Sequence, residues 1–315
     1  MTGLSRREFL CRSASLACLA GSADGAPAAA ESAAVTFSFG TYGMKMVPTE
    51  EAIRLIASIG YDGVELAVRP EWGAAPENMP PDRRRSLRAL LDDSGLKLTA
   101  LMEHLQPAEK DAGHQACLDR LKEAAELGHD LAPGVRPLIQ TTLGGGRWED
   151  VKNLYLGRLA DWARIGEKHE AVIAIKPHRG GAMSRPEEAI WLIRQLDDTA
   201  WLRMVYDYSH YAFRDMPLSE TVRTALPYTA HVAIKDAVRT GDRVAFELPG
   251  ASGTFDYAEL FRLLKSGGYR GDVCCEVSGM VSARPGYNPV AAAKACYSRM
   301  APAFEEAGLG RLRSR

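Results

Sequence analysis

Short apolar runs that end in a charged residue or a histidine recur along the chain, each followed by a stretch with helical spacing. Residues 35–40 mix β-branched and aromatic side chains and stop at Gly40, the pattern of a strand. Thr49 is placed to cap a helix with Glu50 and Glu51 in its first turn and Ile53, Ile56 and Ala57 on one face, ending at Gly60. Further strands are predicted at 64–68, 96–101, 135–142, 171–175, 202–206, 231–234 and 272–277. Helices are predicted at 81–94, 115–127, 150–169, 218–225, 257–265 and 289–307. One more helix opens at Ser184-Arg185-Pro186-Glu187, whose Ser-x-x-Glu spacing reads as a capping box with proline in the first turn. Residues 236–256, with Pro249-Gly250-Ala251-Ser252-Gly253, read as a long loop, and loops of that length inside a domain are usually functional lids or disordered.

Eight such alternations over about 280 residues predict a single (β/α)8 barrel. A doubly wound open sheet is the alternative, but it would more often carry a glycine fingerprint after its first strand. Gly144-Gly145-Gly146 has neither the spacing of a dinucleotide loop nor a following Gly-Lys-Ser/Thr; it reads either as a run that lets backbone approach a ligand or simply as a flexible turn.

Composition agrees with one sizeable domain: 46% of the 315 residues are apolar, enough for a large core. The net charge of −1 is spread evenly, leaving no basic stripe for nucleic acid. No apolar run is long enough to span a bilayer. The N-terminus carries its own signal. Ser5-Arg6-Arg7-Glu8-Phe9-Leu10 resembles a twin-arginine export motif, followed by a mildly apolar stretch and by Ala28-Ala29-Ala30 as a cleavage site. Residues 1–30 are therefore expected to be a removable signal, residues 31–315 the barrel, and the location periplasmic. Of six cysteines, Cys11 and Cys18 fall in the signal; the spacing of Cys117, Cys274, Cys275 and Cys296 is neither a zinc pattern nor a disulfide framework.

The chemistry concentrates where barrel strands end. Met204-Val205 leads to Asp207, and His210 follows three residues later. The same form recurs at Ile173-Ala174-Ile175-Lys176-Pro177-His178, at Val232-Ala233-Ile234-Lys235-Asp236 and at Val273-Cys274-Cys275-Glu276. In α/β barrels that end of the strands carries the active site. Glu65, also at a strand end, can support the barrel mouth. The third strand delivers Glu103 and His104, and His104 can line the mouth or serve as a cap. Tyr206 and Tyr208, flanking Asp207, should face outward, and Lys235-Asp236 can form an ion pair at a strand end. Trp72 and Trp148, placed in loops after strands, can stack on a sugar ring or cover a core edge.

Gly63-Val64-Glu65-Leu66, Asp207-Tyr208-Ser209-His210, His231-Val232-Ala233-Ile234-Lys235-Asp236, residues 249–257 and Gly268-Tyr269-Arg270-Gly271 leading to Glu276 together resemble the sugar phosphate isomerase/epimerase family of xylose-isomerase-like barrels. The resemblance covers about residues 35–305. It implies one divalent metal (manganese, magnesium or zinc) held by a Glu, an Asp, a His and a Glu on the last four strands, and proton transfer beside a sugar carbonyl. Asp207 and Glu276 match two of the ligands, and His210 matches a substrate-contacting histidine. The other two positions hold Lys176 and Ala233.

Three readings follow from that departure. The Lys176 ammonium can replace the metal between the two carboxylates. A metal can bind a shifted set drawn from Asp207, Glu276, His178, His210 and His231, the last pointing the same way as Ala233 one layer lower. Or the barrel binds a carbohydrate without turning it over. In the catalytic reading Lys176, Glu276, His210 and Asp207 act on the substrate, with His178, His104, Glu65 and Trp148 binding it. The implied reaction is isomerisation or epimerisation of a sugar or keto-sugar, with a keto-glycoside lyase or hydratase as the alternative.

Overall fold

In the computed structural model, which describes residues 35–309, eight parallel strands close into a barrel in the order β1-β10-β7-β6-β5-β4-β3-β2. These strands are β1 Thr36–Gly40, β2 Gly63–Ala67, β3 Lys97–Met102, β4 Leu138–Thr141, β5 Val172–Ile175, β6 Leu202–Tyr206, β7 Thr229–Ile234 and β10 Asp272–Cys275. Between them pack α1 Thr49–Ile59, α2 Pro81–Ser94, α3 Asp111–Leu131, α4 Trp148–Lys168, α5 Pro186–Gln195, α6 Leu218–Ala225 and α7 Tyr257–Ser266, with α8 Gly279–Ser282 and α9 Pro289–Glu306 closing the ring. The main core lies between strands and helices, where Phe37, Ile53, Leu66, Leu159, Trp162 and Phe304 are fully buried. No helix among the described residues is long and apolar enough to cross a membrane. The export signal expected at residues 1–30 lies outside the described residues.

Several predicted boundaries shift. The helix expected at 115–127 starts at Asp111 and runs to Leu131, and Trp148 opens α4 rather than standing in a loop. Thr49 is the first helical residue after Pro48, not a cap. The capping carboxylate on α5 is Glu188, not Glu187: it accepts from the Ser184 and Arg185 N–H groups at 2.6 and 3.0 Å. The expected long loop holds a hairpin, β8 Asp236–Thr240 paired antiparallel with β9 Arg243–Glu247. Its turn is Gly241-Asp242, with Gly241 at φ +59°, a conformation glycine reaches at little cost.

Inside the barrel, the middle layer is small and apolar at Ala174, Val205 and Ala233, with Leu138 packed against it. The interior also holds polar side chains, with Ser38, Glu65, Gln140 and His231 fully buried. Barrel interiors are ordinarily filled by branched apolar residues, and these polar side chains, carried by β1, β2, β4 and β7, depart from that rule.

Candidate active site

Four charged side chains converge at the carboxyl ends of β5, β6, β7 and β10. Lys176 follows β5, Asp207 follows β6, Lys235 follows β7 and Glu276 follows β10. Lys235 Nζ donates to Asp207 Oδ2 and, at 2.7 Å, to Glu276 Oε1. Lys176 Nζ donates to Glu276 Oε2 and stands 3.7 Å from Asp207 Oδ2. Each ammonium thus faces both carboxylates, and the quartet is neutral. All four residues are buried, Asp207 completely and Glu276 the most exposed at 7%. Ser209 completes the shell of Asp207, its N–H and Oγ–H donating to Oδ1 at 3.1 and 2.6 Å.

The electrostatics follow from this pairing. Burial opposes charge on Lys176, but Glu276 and Asp207 outweigh it and push its pKa above the ordinary lysine value. Burial likewise opposes charge on Glu276, yet Lys176 and Lys235 hold its pKa down at about 2. Asp207 is lowered against its burial by Lys235 and Lys176. Burial and the nearby Lys235 keep the imidazoles neutral, His178 lowered to about 4 and His210 well below its ordinary value.

The sign of the resulting pH dependence is fixed. Glu276 and Asp207 are depressed in the folded chain, so their contribution is complete above the ordinary carboxyl range and is lost as pH falls through it toward 2. For Glu276 alone, lowered from 4.5 to about 2, the loss amounts to about 3 kcal/mol. The two depressed histidines act in the same direction, because the unfolded chain takes up their protons first. Urea midpoints should therefore fall steeply between pH 5 and 3 in wild type, and much less steeply in Glu276→Gln.

Above the quartet lies a cavity of about 330 Å³, at the lower end of the size range for small-molecule sites. Lys176, His178, Glu276, Gln140, Glu103 and His104 contribute to its lining. Tyr42 and Arg69 line it too, where Trp72 stacks on Tyr42 at 5.4 Å and the Arg69 guanidinium lies 4.7 Å from the Trp72 ring centre. The glycine run also reaches the cavity. Gly144 holds φ +88°, and a Cβ there would come within 2.9 Å of the Gln106 side chain.

Not every expected residue faces the cavity. His210 is 1% exposed and sits behind His178, the two rings 4.1 Å apart, with the hairpin's Phe246 5.1 Å away on another side. The Phe246 ring centre also lies 5.1 Å from the Lys235 ammonium, so the hairpin covers this part of the quartet. Asp207 and Lys235 do not line the cavity either; Lys176 and Glu276 are the quartet members at its wall. Glu65 lies a layer below, accepting from Gln140 Nε2. Trp148 does not line the cavity; it packs edge-on against Trp191 at 5.7 Å. Tyr206 faces outward as expected, bonding Thr221 on α6 at 2.9 Å.

Two further features change the expected site. Lys235 does not pair with Asp236, whose carboxylate turns outward to accept from Gly250 N, Ser252 N, Ser252 Oγ and Tyr257 OH at 2.6–2.9 Å. That pins the loop at Pro249. Glu103 is the other, since burial raises its pKa to about 7 against the opposing charge of Arg120, which donates to its Oε1. A carboxylate titrating near neutrality on a cavity wall is suited to moving a proton.

The divalent-cation cage implied by the family resemblance does not fit these residues. Ala233 offers no donor, and the two remaining carboxylates are already neutralised by two ammonium groups that would repel a cation. His178 and His210 do not complete a substitute cage, since among the described residues their donor atoms form no metal-sized group with Asp207 and Glu276.

A family model described as a xylose isomerase-like TIM barrel matches residues 53–297. A putative hydroxypyruvate isomerase from Mus musculus is 35% identical over 75 residues, 24% of this chain and 25% of that protein. The match thus spans a quarter of the mouse relative's length. Among solved structures, the 3-keto-D-glucoside 4-epimerase from E. coli superposes with a TM-score of 0.67 at 15% identity, covering 85% of this chain and 99% of that one. An L-ribulose 3-epimerase does so at 0.68 and 17% identity, covering 87% and 96%.

Proposed function

The chain belongs to the xylose isomerase-like TIM barrel family, and from that premise we propose that it is a sugar or keto-sugar isomerase or epimerase in which an ammonium pair takes the metal's place. The observation that carries this reading is the quartet: Lys176 and Lys235 bridge the two carboxylates under the cavity. Positive charge is kept where the family's chemistry needs it, without a cation cage.

Glu103 takes the proton from the carbon beside the substrate carbonyl. As that C–H bond breaks, its electron pair forms the C=C bond of an enolate, and the charge moves to the carbonyl oxygen. The Lys176 ammonium, fixed before the reaction begins, stabilises that oxygen. Lys235 rises from β7, the strand diametrically opposite β3 and Glu103 in the barrel order. It holds Glu276 and Asp207 ionised, so neither competes for the proton. A proton delivered to the same carbon from the opposite face by cavity water gives an epimer; Glu103 returning its proton to the former carbonyl carbon, as the neighbouring hydroxyl proton passes to the former carbonyl oxygen, gives an isomer. Arg120 positions Glu103, and neutral His104 and His178 supply hydrogen bonds to hydroxyls. Exported through the Arg6-Arg7 signal, the enzyme would meet unphosphorylated sugars.

The test is solvent hydrogen exchange. In D2O, the protein should exchange the hydrogen beside the carbonyl of a ketose or 3-keto-glycoside, followed by NMR across a panel of such sugars. Exchange should persist after dialysis against EDTA. Exchange that stops on chelation and returns with manganese would replace the ammonium reading with a metal one. Absence of exchange across the panel would leave a carbohydrate-binding barrel.

A further inference from the structure

Beneath the cavity floor, and separate from the quartet, a second group of buried ligating side chains has no role in the reaction above. Glu65 on β2, His231 on β7 and Cys274 on β10 point into the barrel, each at most 1% exposed. One ligating atom from each lies within 4.8 Å of the others. Among the described residues they form the one set of three such side chains with converging donor atoms. Tetrahedral zinc, with bonds of about 2.0–2.3 Å, places its ligand atoms roughly 3–4 Å apart, so little movement is needed to close the group on an ion.

The hydrogen bonding points the same way. His231 Nε2 is 3.2 Å from Glu65 Oε2, and Nδ1 is 2.6 Å from Asp272 Oδ2, yet neither nitrogen makes a well-angled hydrogen bond. Glu65 Oε1 also lacks a partner, although Gln140 holds Oε2. Buried polar atoms left so are uncommon and call for an explanation. With an ion bound, Asp272 beside Nδ1 would keep the proton on that nitrogen and leave the Nε2 lone pair, 3.2 Å from Glu65 Oε2, for the metal. A carboxylate behind a histidine is the usual support of a metal-bound imidazole.

We propose that Glu65, His231 and Cys274 form a buried zinc site in the barrel interior, with Asp272 orienting the histidine. The set of one thiolate, one imidazole and one carboxylate suits zinc rather than magnesium or calcium. A thiolate and a carboxylate also balance the ion's charge. The site serves the fold rather than the reaction, for it joins β2, β7 and β10 and lies below Gln140, out of reach of a substrate. It does not rest on the proposed function.

The experiment is metal analysis of the full chain, produced with zinc and purified without chelator. About one zinc per chain is expected, falling roughly tenfold or more in Cys274→Ala and in Glu65→Gln and staying unchanged in Cys117→Ala, which removes a half-buried cysteine on α3 outside the barrel interior. The cobalt-substituted wild type should show a thiolate-to-cobalt charge-transfer band that Cys274→Ala lacks. If the variants do not fold, the wild-type zinc content and cobalt band decide alone. Wild type without bound zinc, or zinc content indifferent to Cys274, would overturn the site and leave His231 as an imidazolium between two carboxylates.

Discussion

Lys176→Met should lower kcat by about 10²–10³-fold, the usual cost of removing a fixed donor from a developing oxyanion, while KM moves far less. The split follows from the quartet's geometry. Lys176 Nζ is already committed to Glu276 and near Asp207, so it adds little to ground-state binding, and its contribution grows only as charge reaches the substrate oxygen. Methionine keeps most of the side-chain volume but leaves two buried carboxylates sharing Lys235. Removing one partner of a buried ion pair typically destabilises by about 3–5 kcal/mol, so the unfolding midpoint should fall as well. Lys176→Arg separates the two effects. It keeps the charge and should recover most of the stability, but its planar fork cannot reproduce both ammonium contacts, so kcat should stay low. If Lys176→Met turned over at the wild-type rate, Lys176 would be a structural ion and no more.

Much of this site could be read from apolar runs that end in a charged residue. Lys176, Asp207 and Glu276 each follow such a run, and barrel geometry brings them together. Lys235 was harder to place because Asp236 stands next to it and invites a local pair. Adjacent residues in an extended segment point to opposite faces, which sends Lys235 inward to the quartet and Asp236 outward to the loop at Pro249. The hairpin did have a signal, since alternating residues flank Gly241-Asp242, a two-residue turn. Reading 236–256 as one loop hid it, and with it the Phe246 roof that removes His210 from the cavity. The polarity of the barrel interior depends on register between distant strands. His231, Glu65 and Cys274 share no local motif, so only the closed barrel shows them together.

Glu103→Gln should be the second severe lesion, and its pH profile identifies the role. The Glu103 carboxyl is raised from 4.5 to about 7 in the folded chain, so its basic form is present above pH 7 and is lost as pH falls below it. Wild-type kcat/KM should therefore rise with pH and level off above about 7. General base catalysis is worth about 10²–10⁴-fold, and the glutamine variant should lose that much at pH 8 and show no rising limb near 7. His178 cannot supply the limb, because burial and the two lysines lower its pKa to about 4. Glu276 cannot either, held at about 2. Arg120 gives an independent handle: its charge opposes the burial of Glu103, so Arg120→Met should move the limb to higher pH. A variant lacking Glu103 that keeps the limb near 7 would place the base elsewhere. A limb unmoved in Arg120→Met would show that the titrating group is not the carboxylate this arginine holds.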